Sequence, residues 1–383
     1  MKTAAVVLSS LLLASCASAP PMPPAAELFR DDLFMAPSAP VTPDEAMAVS
    51  ADMRRYLANT FLNAPRTADR KRQLIAALYT KGDLKLEYDA ALTRTAAQAF
   101  EARSGNCLAL VMMTAALAKE LGLSVRYQIV LGDDAWDRAG DIHVAVGHVN
   151  LTLSDRQPQF GNGFVETDSV TIDFLPQENI RAQRTRVIQQ STVIAMFLNN
   201  RAVEALTQGR VNDAYWWARE AIRTDPELLS AYITLGVVYR NQQHPDLAEQ
   251  ALLRVSSRDP GNTRAMSNRV QVLRDLGRQG EANALKAQLD RLEPYPPFSY
   301  FDQGMVALRE HRLEAARSLF TKEVDRAPDY HEFQFWLAIT YLQLHDADRA
   351  TAHLTKAMEV STTRKDHDLY AAKLERLKSL GAQ

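Results

Sequence analysis

Apolar and small residues in the second half of the chain recur with a long, regular period. Four prolines follow one another at intervals of 34 residues: Pro226, Pro260, Pro294 and Pro328. Within one such unit, residues 229–262, a set of large, small and aromatic residues stands at the positions that helix packing requires: Tyr232, Leu235, Gly236, Tyr239, Ala248 and Leu252. The small residue in the second half of this unit, Ala248, has equivalents in the other units: Ala214, Ala282, Ala316 and Ala350. Small residues let two helices approach closely, and aromatic side chains fill the gap to the next pair. The pattern therefore predicts a stack of helix pairs.

This pattern resembles the tetratricopeptide repeat, a helix pair of about 34 residues. The resemblance covers about 195–364, as five units, and 365–380 is predicted to be a polar capping helix. It implies an all-α tetratricopeptide solenoid with a groove that binds a protein or peptide partner. Near Pro294, packing between repeats is favoured over the anchoring of a partner for Tyr295, Phe298, Tyr300 and Phe301.

The first residues of the chain have the pattern of an export signal. Lys2 precedes an apolar stretch of ten residues, Ala4 to Leu13, which is too short to span a bilayer permanently. The sequence Leu13-Ala14-Ser15-Cys16 that follows resembles the bacterial lipobox, whose cysteine receives lipid. An ordinary signal peptide, cut after Ala17 or Ala19, is the alternative. By the same resemblance, alanine after the cysteine favours the outer membrane, so we expect an envelope lipoprotein that faces the periplasm.

Proline and alanine dominate the next segment, 17–41, and predict a semi-stiff tether rather than a folded core. The run Thr42-Pro43-Asp44-Glu45 predicts a helix start, with the helix reaching about Thr60. Another helix is predicted over 68–79. The expected division is a signal at 1–16, a tether at 17–41, a first folded domain at 42–190 and the repeat array at 191–383.

The first folded domain contains a cysteine at the start of a predicted helix. Arg103 to Asn106 breaks a short helix that is predicted over 95–101, and a mostly apolar helix then runs from Cys107 to a stop at Gly122. Unpaired amides and the positive end of the helix dipole stabilise a thiolate at such a position. A cysteine that served only in packing is more naturally found inside a helix.

Three apolar runs predict strands at 125–131, 143–153 and 170–174. Alternation on the second strand places His148, Asn150 and Thr152 on one face. Asp173 alternates with apolar residues on the third strand. A histidine and an aspartate on neighbouring strands, facing a helix that begins with cysteine, are the parts of a thiol triad.

The residues of this region also resemble a family. The segments that carry the resemblance are Tyr88, Thr93 to Ala96, Phe100, Arg103 to Leu108, Leu121 to Leu123, His148 to Leu151 and Ile172 to Phe174. They are similar to the transglutaminase-like, papain-related superfamily over about 84–180, although 132–147 departs from it. The resemblance implies an α+β domain with helices packed on a small antiparallel sheet. It also implies a Cys-His-Asp triad, carried onto Cys107, His148 and Asp173.

Other residues compete for the same roles. His143 is the rival base, but its odd separation from His148 places the two on opposite faces of a regular strand. Glu166 and Asp168 are rival acids, for which a solvated turn is the plainer interpretation. Trp136 either lines a cleft or has a structural role. No third metal ligand at suitable spacing and no phosphate-binding glycine loop is evident, so we expect no metal and no cofactor.

Composition and charge argue against a nucleic-acid-binding protein. The chain has 383 residues and a net charge of −2, and its arginines are scattered among acids, which argues against nucleic acid as a partner.

Two functions remain open. One is a cysteine hydrolase, peptidase or transglutaminase-like acyl transferase that acts on an amide. The other is a membrane-anchored adaptor whose transglutaminase-like domain is a non-catalytic scaffold, because a fold by itself does not establish turnover.

Overall fold

The computed structural model describes residues 25–62, 69–80, 84, 86–90, 92–131, 135–139, 142–146, 148–159, 163–174 and 184–381, with only the backbone of 135–146 and 156–167. The predicted signal, Cys16 included, lies outside these residues. Within the described part of the chain, no helix has both the length and the apolarity that are needed to cross a membrane.

The first helices begin later than the sequence predicts. Thr42 makes no capping hydrogen bond, and Pro43–Met47 forms a 3-10 helix. Helix α1 (Ala51–Leu57) begins after Ser50, whose side chain accepts a hydrogen bond from the amide of Met53, and one π-helical turn, Ala58–Leu62, extends it. The predicted start at residue 42 was therefore wrong, because the serine supplies the cap. Helix α2 (Arg70–Tyr79) is close to its predicted position.

Helices α3 (Ala96–Ala102) and α4 (Cys107–Glu120) confirm the predicted break before the cysteine. Thr95 and Gln98 form a capping box on α3, and Arg103 ends it in the left-handed conformation with φ of 51°. Two short parallel strands, β1 (Glu87–Tyr88) and β2 (Ser104–Gly105), lie beside this turn. Every residue of α4 from Cys107 to Ala118 is buried.

A four-stranded antiparallel sheet follows, in the order β7-β6-β3-β8. Its strands are β3 (Ser124–Leu131), β6 (Val149–Gln159), β7 (Gly163–Ile172) and β8 (Arg184–Ile188). A separate antiparallel pair is formed by β4 (Ala135–Ala139) and β5 (Ile142–Val146). The single strand predicted over 143–153 was therefore wrong, because its two parts pair with different partners.

Both faces of strand β6 are buried, but they differ in chemistry. Val149, Leu151 and Leu153 point to one face and belong to the hydrophobic core. Leu151 pairs with Tyr127 of β3, which is also in this core. The opposite face carries Asn150 and Thr152, which are 1% and 5% exposed. On this face the Thr152 hydroxyl hydrogen-bonds to the Thr171 hydroxyl at 2.9 Å.

The second half of the chain consists of helices alone. They are α5 (Gln190–Thr207), α6 (Val211–Thr224), α7 (Leu229–Asn241), α8 (Pro245–Arg258), α9 (Thr263–Asp275), α10 (Gln279–Leu292), α11 (Ser299–Arg309), α12 (Leu313–Arg326), α13 (His331–Gln343), α14 (Ala347–Glu359) and α15 (Arg364–Gly381). Five helix pairs and a final helix match the predicted five units and capping helix.

The small residues of the repeat lie where helices cross most closely. Ala214, Ala282, Ala316 and Ala350 are fully buried. A Cβ added to Gly304 of α11 would lie 2.7 Å from the ring of Phe320 on α12. Real Cβ atoms do not approach other atoms this closely, so the spacing of the helix pair depends on the absence of a side chain.

One hydrophobic core joins the first folded domain to the first repeats. The cluster that contains α4 and the β6 face continues through Phe197 of α5 and Tyr239 of α7 to Val272 of α9. A separate cluster begins at Phe298 and contains Phe301, both of which are buried between repeats as predicted. The two halves of the chain therefore meet in a shared core, and the repeat stack divides near Pro294.

The predicted tether is partly wrong, because its described portion packs on the repeats. Phe34 is 8% exposed and stacks on Tyr215 of α6 with ring centroids 3.9 Å apart. Ala25 and Leu28 are also buried in the main core. The prediction from composition failed because the apolar residues of 28–34 pack against aromatic side chains of α6 and α7.

Polar contacts fix the same segment to the repeats. The Trp216 indole donates to the carbonyl of Met35 at 2.7 Å, and the Tyr215 hydroxyl donates to Asp31 at 2.6 Å. The amide and hydroxyl of Ser38 donate to Asp213 at 2.7 and 2.8 Å. Residues 28–38 are therefore held along the first two repeats by side chains and main chain together.

The loop before α3 contacts both ends of the repeat array. The amide of Thr93 donates to Glu204 of α5 at 2.7 Å. The amide of Ala90 donates to the carbonyl of Thr362, between α14 and α15, at 2.9 Å. The array therefore curves so that its first and last helices meet the same loop.

We predict that Gly304→Ala destabilises the array by about 1–3 kcal/mol, because the added methyl group overlaps the Phe320 ring. Urea denaturation followed by circular dichroism measures this change. The matched control is Gly280→Ala on α10, where an added Cβ meets nothing within 4 Å. We expect this control to keep or slightly raise stability, because alanine favours a helix over glycine. Equal losses in the two variants would contradict the packing argument.

We predict that Phe34→Ala releases the N-terminal segment, because a stacked, buried ring is lost at a cost of about 3–5 kcal/mol. Trypsin cleavage after Arg30, which lies inside the segment, measures the release. Met35→Ala is the control, since that side chain is 72% exposed and its hydrogen bonds come from the main chain. Rapid cleavage of the wild-type chain at Arg30 would restore the tether interpretation.

Candidate thiol site

Cys107 is the first residue of α4 and is 2% exposed. Asn106 caps the helix by accepting a hydrogen bond from the amide of Ala109 at 2.9 Å. Gly105 is required directly before the cap, because a Cβ there would lie 2.9 Å from the Cβ of Ala109. The sulfur therefore lies at the positive end of a buried helix, where an anion is stabilised.

The capping residue is tied to the repeat array. Asn106 donates to the Thr93 hydroxyl at 2.9 Å, and Asn200 of α5 donates to the same oxygen at 3.3 Å. Thr93 is 3% exposed, and its amide is held by Glu204. The first helix of the array thus supports the turn that positions Cys107.

His148 lies immediately before β6, and Asp173 immediately follows β7. The Nε2 atom of His148 is 2.7 Å from both carboxylate oxygens of Asp173. The His148 side chain is 8% exposed, and the Asp173 side chain is fully buried. Because a carboxylate only accepts, Nε2 carries the proton and Nδ1 is the nitrogen that remains for a second partner.

The surroundings of His148 change the pKa of its imidazole. Burial lowers the pKa of His148, but the hydrogen bond to Asp173 and the neighbouring Cys107 thiol outweigh it and raise the pKa to about 9. The Nδ1 atom of His148 is buried and makes no hydrogen bond to any described side chain, so the Cys107 sulfur acts on the imidazole from nearby without a hydrogen bond to it. The three residues that the sequence singled out from separate segments thus meet in one buried cluster.

Two contacts of this cluster were not assigned a role from the sequence. The Nδ2 atom of Asn150 donates to Asp173 Oδ2 at 3.2 Å. The Tyr79 hydroxyl donates to the main-chain carbonyl of Asp173 at 3.4 Å. The alternation on β6 already placed Asn150 on the face of His148, whereas no sequence signal connects α2 to Asp173.

The rival acids lie elsewhere. Asp168 pairs with the fully buried Lys71 at 2.9 Å, and the Lys71 hydrogen bond lowers the pKa of this carboxyl. Both Asp168 and Glu166 lie within β7, so the turn predicted for them was wrong. The side chains of Glu166, His143 and Trp136 lie outside the described residues. Among the side chains that are described, no group of three His, Cys, Asp or Glu is arranged to hold a metal ion.

Comparisons with known proteins bear on the second half of the chain. A family profile described as a tetratricopeptide repeat matches residues 233–294 and 301–358. The type IV pilus assembly protein PilF of Pseudomonas aeruginosa is 27% identical over 121 residues, which make up 31% of this chain and 48% of that protein. The chain spans about half the length of this curated relative.

Solved structures are similar to part of the chain. A thermophilic tetratricopeptide repeat protein of Thermus thermophilus has a TM-score of 0.30 at 19% identity and covers 47% of this chain and 98% of its own. MamA of Desulfovibrio magneticus has a TM-score of 0.26 at 19% identity and covers 45% of this chain and 96% of its own. The family match and the regular helix pairs together establish that the second half of this chain contains tetratricopeptide repeats, a framework for binding a protein partner.

Proposed function

We propose that this chain is an envelope lipoprotein with a thiol hydrolase or acyl transferase domain that acts on an amide in a peptide or protein. The observation that carries the proposal is the hydrogen bond of His148 Nε2 to Asp173, with His148 Nδ1 and the Cys107 side chain both buried and Nδ1 without a hydrogen-bond partner. The resemblance to the transglutaminase-like superfamily supports the same three roles. The tetratricopeptide repeats bring the protein partner to the domain.

The chemistry follows from the position of each group. Nδ1 of His148 takes the proton of the Cys107 thiol, and the sulfur attacks the amide carbonyl carbon. The amide of Cys107, at the first turn of α4, donates to the developing oxyanion. His148 then returns its proton to the departing amine, and a thioester remains. Water resolves the thioester in a hydrolase, and a second amine resolves it in a transferase.

Asp173 supports each step through the histidine. Its carboxylate holds Nε2 at 2.7 Å, which keeps the ring oriented with Nδ1 as the base. It also stabilises the imidazolium that forms when the thiol loses its proton. The full burial of this carboxylate makes the interaction stronger than a similar contact in water.

The proposed lipid anchor sets the position of the protein relative to the membrane. Eight residues, 17–24, separate Cys16 from Ala25. Even when fully extended, this stretch reaches only about 30 Å. Since residues 28–38 are fastened to α6 and α7, a lipidated Cys16 holds the first two repeats close to the bilayer. The similarity to a pilus assembly protein over the repeats supports a role in the envelope.

A non-catalytic adaptor is the second candidate. The observation that favours it is the 2% exposure of Cys107, which is also typical of a cysteine that serves in packing. In that case the repeats bind the partner, and the N-terminal domain only stabilises the first helices of the array. The two candidates differ in the chemistry that they predict for the thiol.

We predict that iodoacetamide labels Cys107 at pH 6 at least about tenfold faster in the chain with His148 than in the His148→Ala variant. The physical reason is that a protonated imidazole stabilises the thiolate. All arms carry Cys16→Ala, which leaves one thiol in the chain. Mass spectrometry of the labelled peptide measures the rate. The urea-unfolded chain gives the rate of an unassisted thiol, and equal rates in all arms would favour the adaptor.

Turnover separates the two enzymatic outcomes. The chain is incubated with envelope peptides and a fluorescent primary amine, and Cys107→Ala is the matched control. Release of ammonia or a peptide amine reports the acylation step that both enzymes share. A free carboxylate product without incorporated amine then identifies a hydrolase, and incorporation of the fluorescent amine identifies an acyl transferase. If Cys107→Ala matches the wild-type chain in both measurements, the proposed activity is wrong.

We predict that the contact of His148 with Asp173 makes stability depend on pH. The pKa of His148 is raised from 6.5 to about 9, so this contribution is fully present below pH 6.5 and is lost as the pH rises through 9. Urea denaturation at pH 6 and pH 10 measures the loss, on the order of 2 kcal/mol. Both arms carry Cys107→Ala, so that the proton of the thiol does not enter. Since Cys107 is one of the groups that raise the pKa of His148, the contribution in this background is lost between pH 6.5 and 9, inside the measured range. Adding His148→Gln removes the difference, and an unchanged difference would contradict the assignment.

A further inference from the structure

Asn150 occupies a central and buried position beside the thiol site. It is 1% exposed and lies on β6, two residues after His148. Its Nδ2 atom donates to Asp173 Oδ2 at 3.2 Å. Because side chains repeat every two residues on a strand, His148 and Asn150 reach the same carboxylate from one side of the sheet.

The carboxylate of Asp173 depends on such donors. Its side chain is fully buried, and a buried carboxylate is stable only when hydrogen bonds replace the lost water. His148 contacts both oxygens through one nitrogen, a contact that does not select one rotation of the carboxylate about its own axis. The donor Nδ2 of Asn150 on Oδ2 adds a restraint on that rotation.

The main chain around Asn150 is rigid. Asn150 pairs with Gln128 of β3 and adjoins Leu151, which pairs with Ile172 of β7, so it lies between two hydrogen-bonded neighbours. Asp173 follows directly on Ile172. The donor and the acceptor are therefore held by adjacent strands rather than by loops, which is the arrangement that keeps a site in a fixed geometry.

We infer that Asn150 is a positioning residue, which holds the Asp173 carboxylate in the orientation where it accepts from His148 Nε2 and leaves Nδ1 to Cys107. The inference rests on the proposed function, because it assigns the imidazole to the proton of the thiol. Asn150 does not contact the reacting atoms, and its effect passes through Asp173 and His148.

The test is the pH profile of Cys107 alkylation by iodoacetamide, in the full chain with Cys16→Ala. A buried carboxylate that loses a donor takes up a proton more readily, and the imidazolium then loses its partner. In Asn150→Leu we expect the acid side of the profile to move upward by about 0.5–1 pH unit, the effect of one hydrogen bond. Asn150→Ser, which keeps a polar group too short to reach Oδ2, is expected to shift the profile in the same direction.

The matched control is Thr152→Val. Thr152 lies two residues further along the same buried face, but its hydroxyl bonds to Thr171 and accepts from Gln128 Nε2 at 3.1 Å, and has no bond to Asp173. This variant loses both hydrogen bonds and should keep the wild-type pH profile. Circular dichroism and urea denaturation establish which variants fold, and Asn150→Ser is used alone if Asn150→Leu does not.

The outcomes separate this inference from the proposed function. If folded Asn150 variants keep the wild-type profile while His148→Ala abolishes rapid labelling, Asn150 is not a positioning residue, although the thiol pair remains. A shift of equal size in Thr152→Val also overturns the inference, because the effect is then one of general packing. If His148→Ala leaves labelling unchanged, the proposed function itself fails, whatever the Asn150 variants show.

Discussion

The burial of α4 on all sides is the constraint on which the rest of this structure depends. The helix is apolar around its whole circumference, and every residue from Cys107 to Ala118 is buried. A helix without a polar face must be covered by other elements on each side. The sheet covers one side through β3 and β6, and α3 and α5 cover others. Because α5 is also the first helix of the repeats, the two halves of the chain share one core and do not form independent units.

The polar groups at the end of this helix are joined by hydrogen bonds, while His148 Nδ1 and Asn150 Oδ1 are buried without a hydrogen-bond partner. Isolated charges and unpaired polar groups are unstable in such a core, so they occur as connected sets. Asn106 and Thr93 link the helix cap to α5, while His148, Asp173 and Asn150 form a second set on the sheet. Both sets adjoin Cys107. The thiol is therefore supported from the repeats on one side and from the sheet on the other, which connects partner binding and the proposed chemistry within one rigid framework.

The N-terminal segment and the loop at 89–93 extend this framework. Residues 28–38 run along α6 and α7, Ala90 contacts the turn between α14 and α15, and Thr93 contacts α5. In the proposed function, the segment between the lipidated cysteine and the fastened residues is thus short, and it keeps the first repeats close to the membrane. The division of the repeat stack near Pro294 leaves the last repeats with cores of their own, joined to the domain through the contact at Ala90.

Local patterns along the chain account for several elements. The period of 34 residues, the break at 103–106 and the helix that begins at Cys107 were all predictable, because spacing and helix breaking act between neighbours along the chain. Alternation placed His148, Asn150 and Thr152 on one face, but the odd separation that set His143 aside assumed a single strand, which the chain does not form. Three features became visible only in the folded chain: 143–153 divides between two sheets, Phe34 stacks on Tyr215 and Asn150 meets Asp173. Those contacts join segments far apart in the chain, and their geometry follows from how whole helices and strands pack, which no local pattern records.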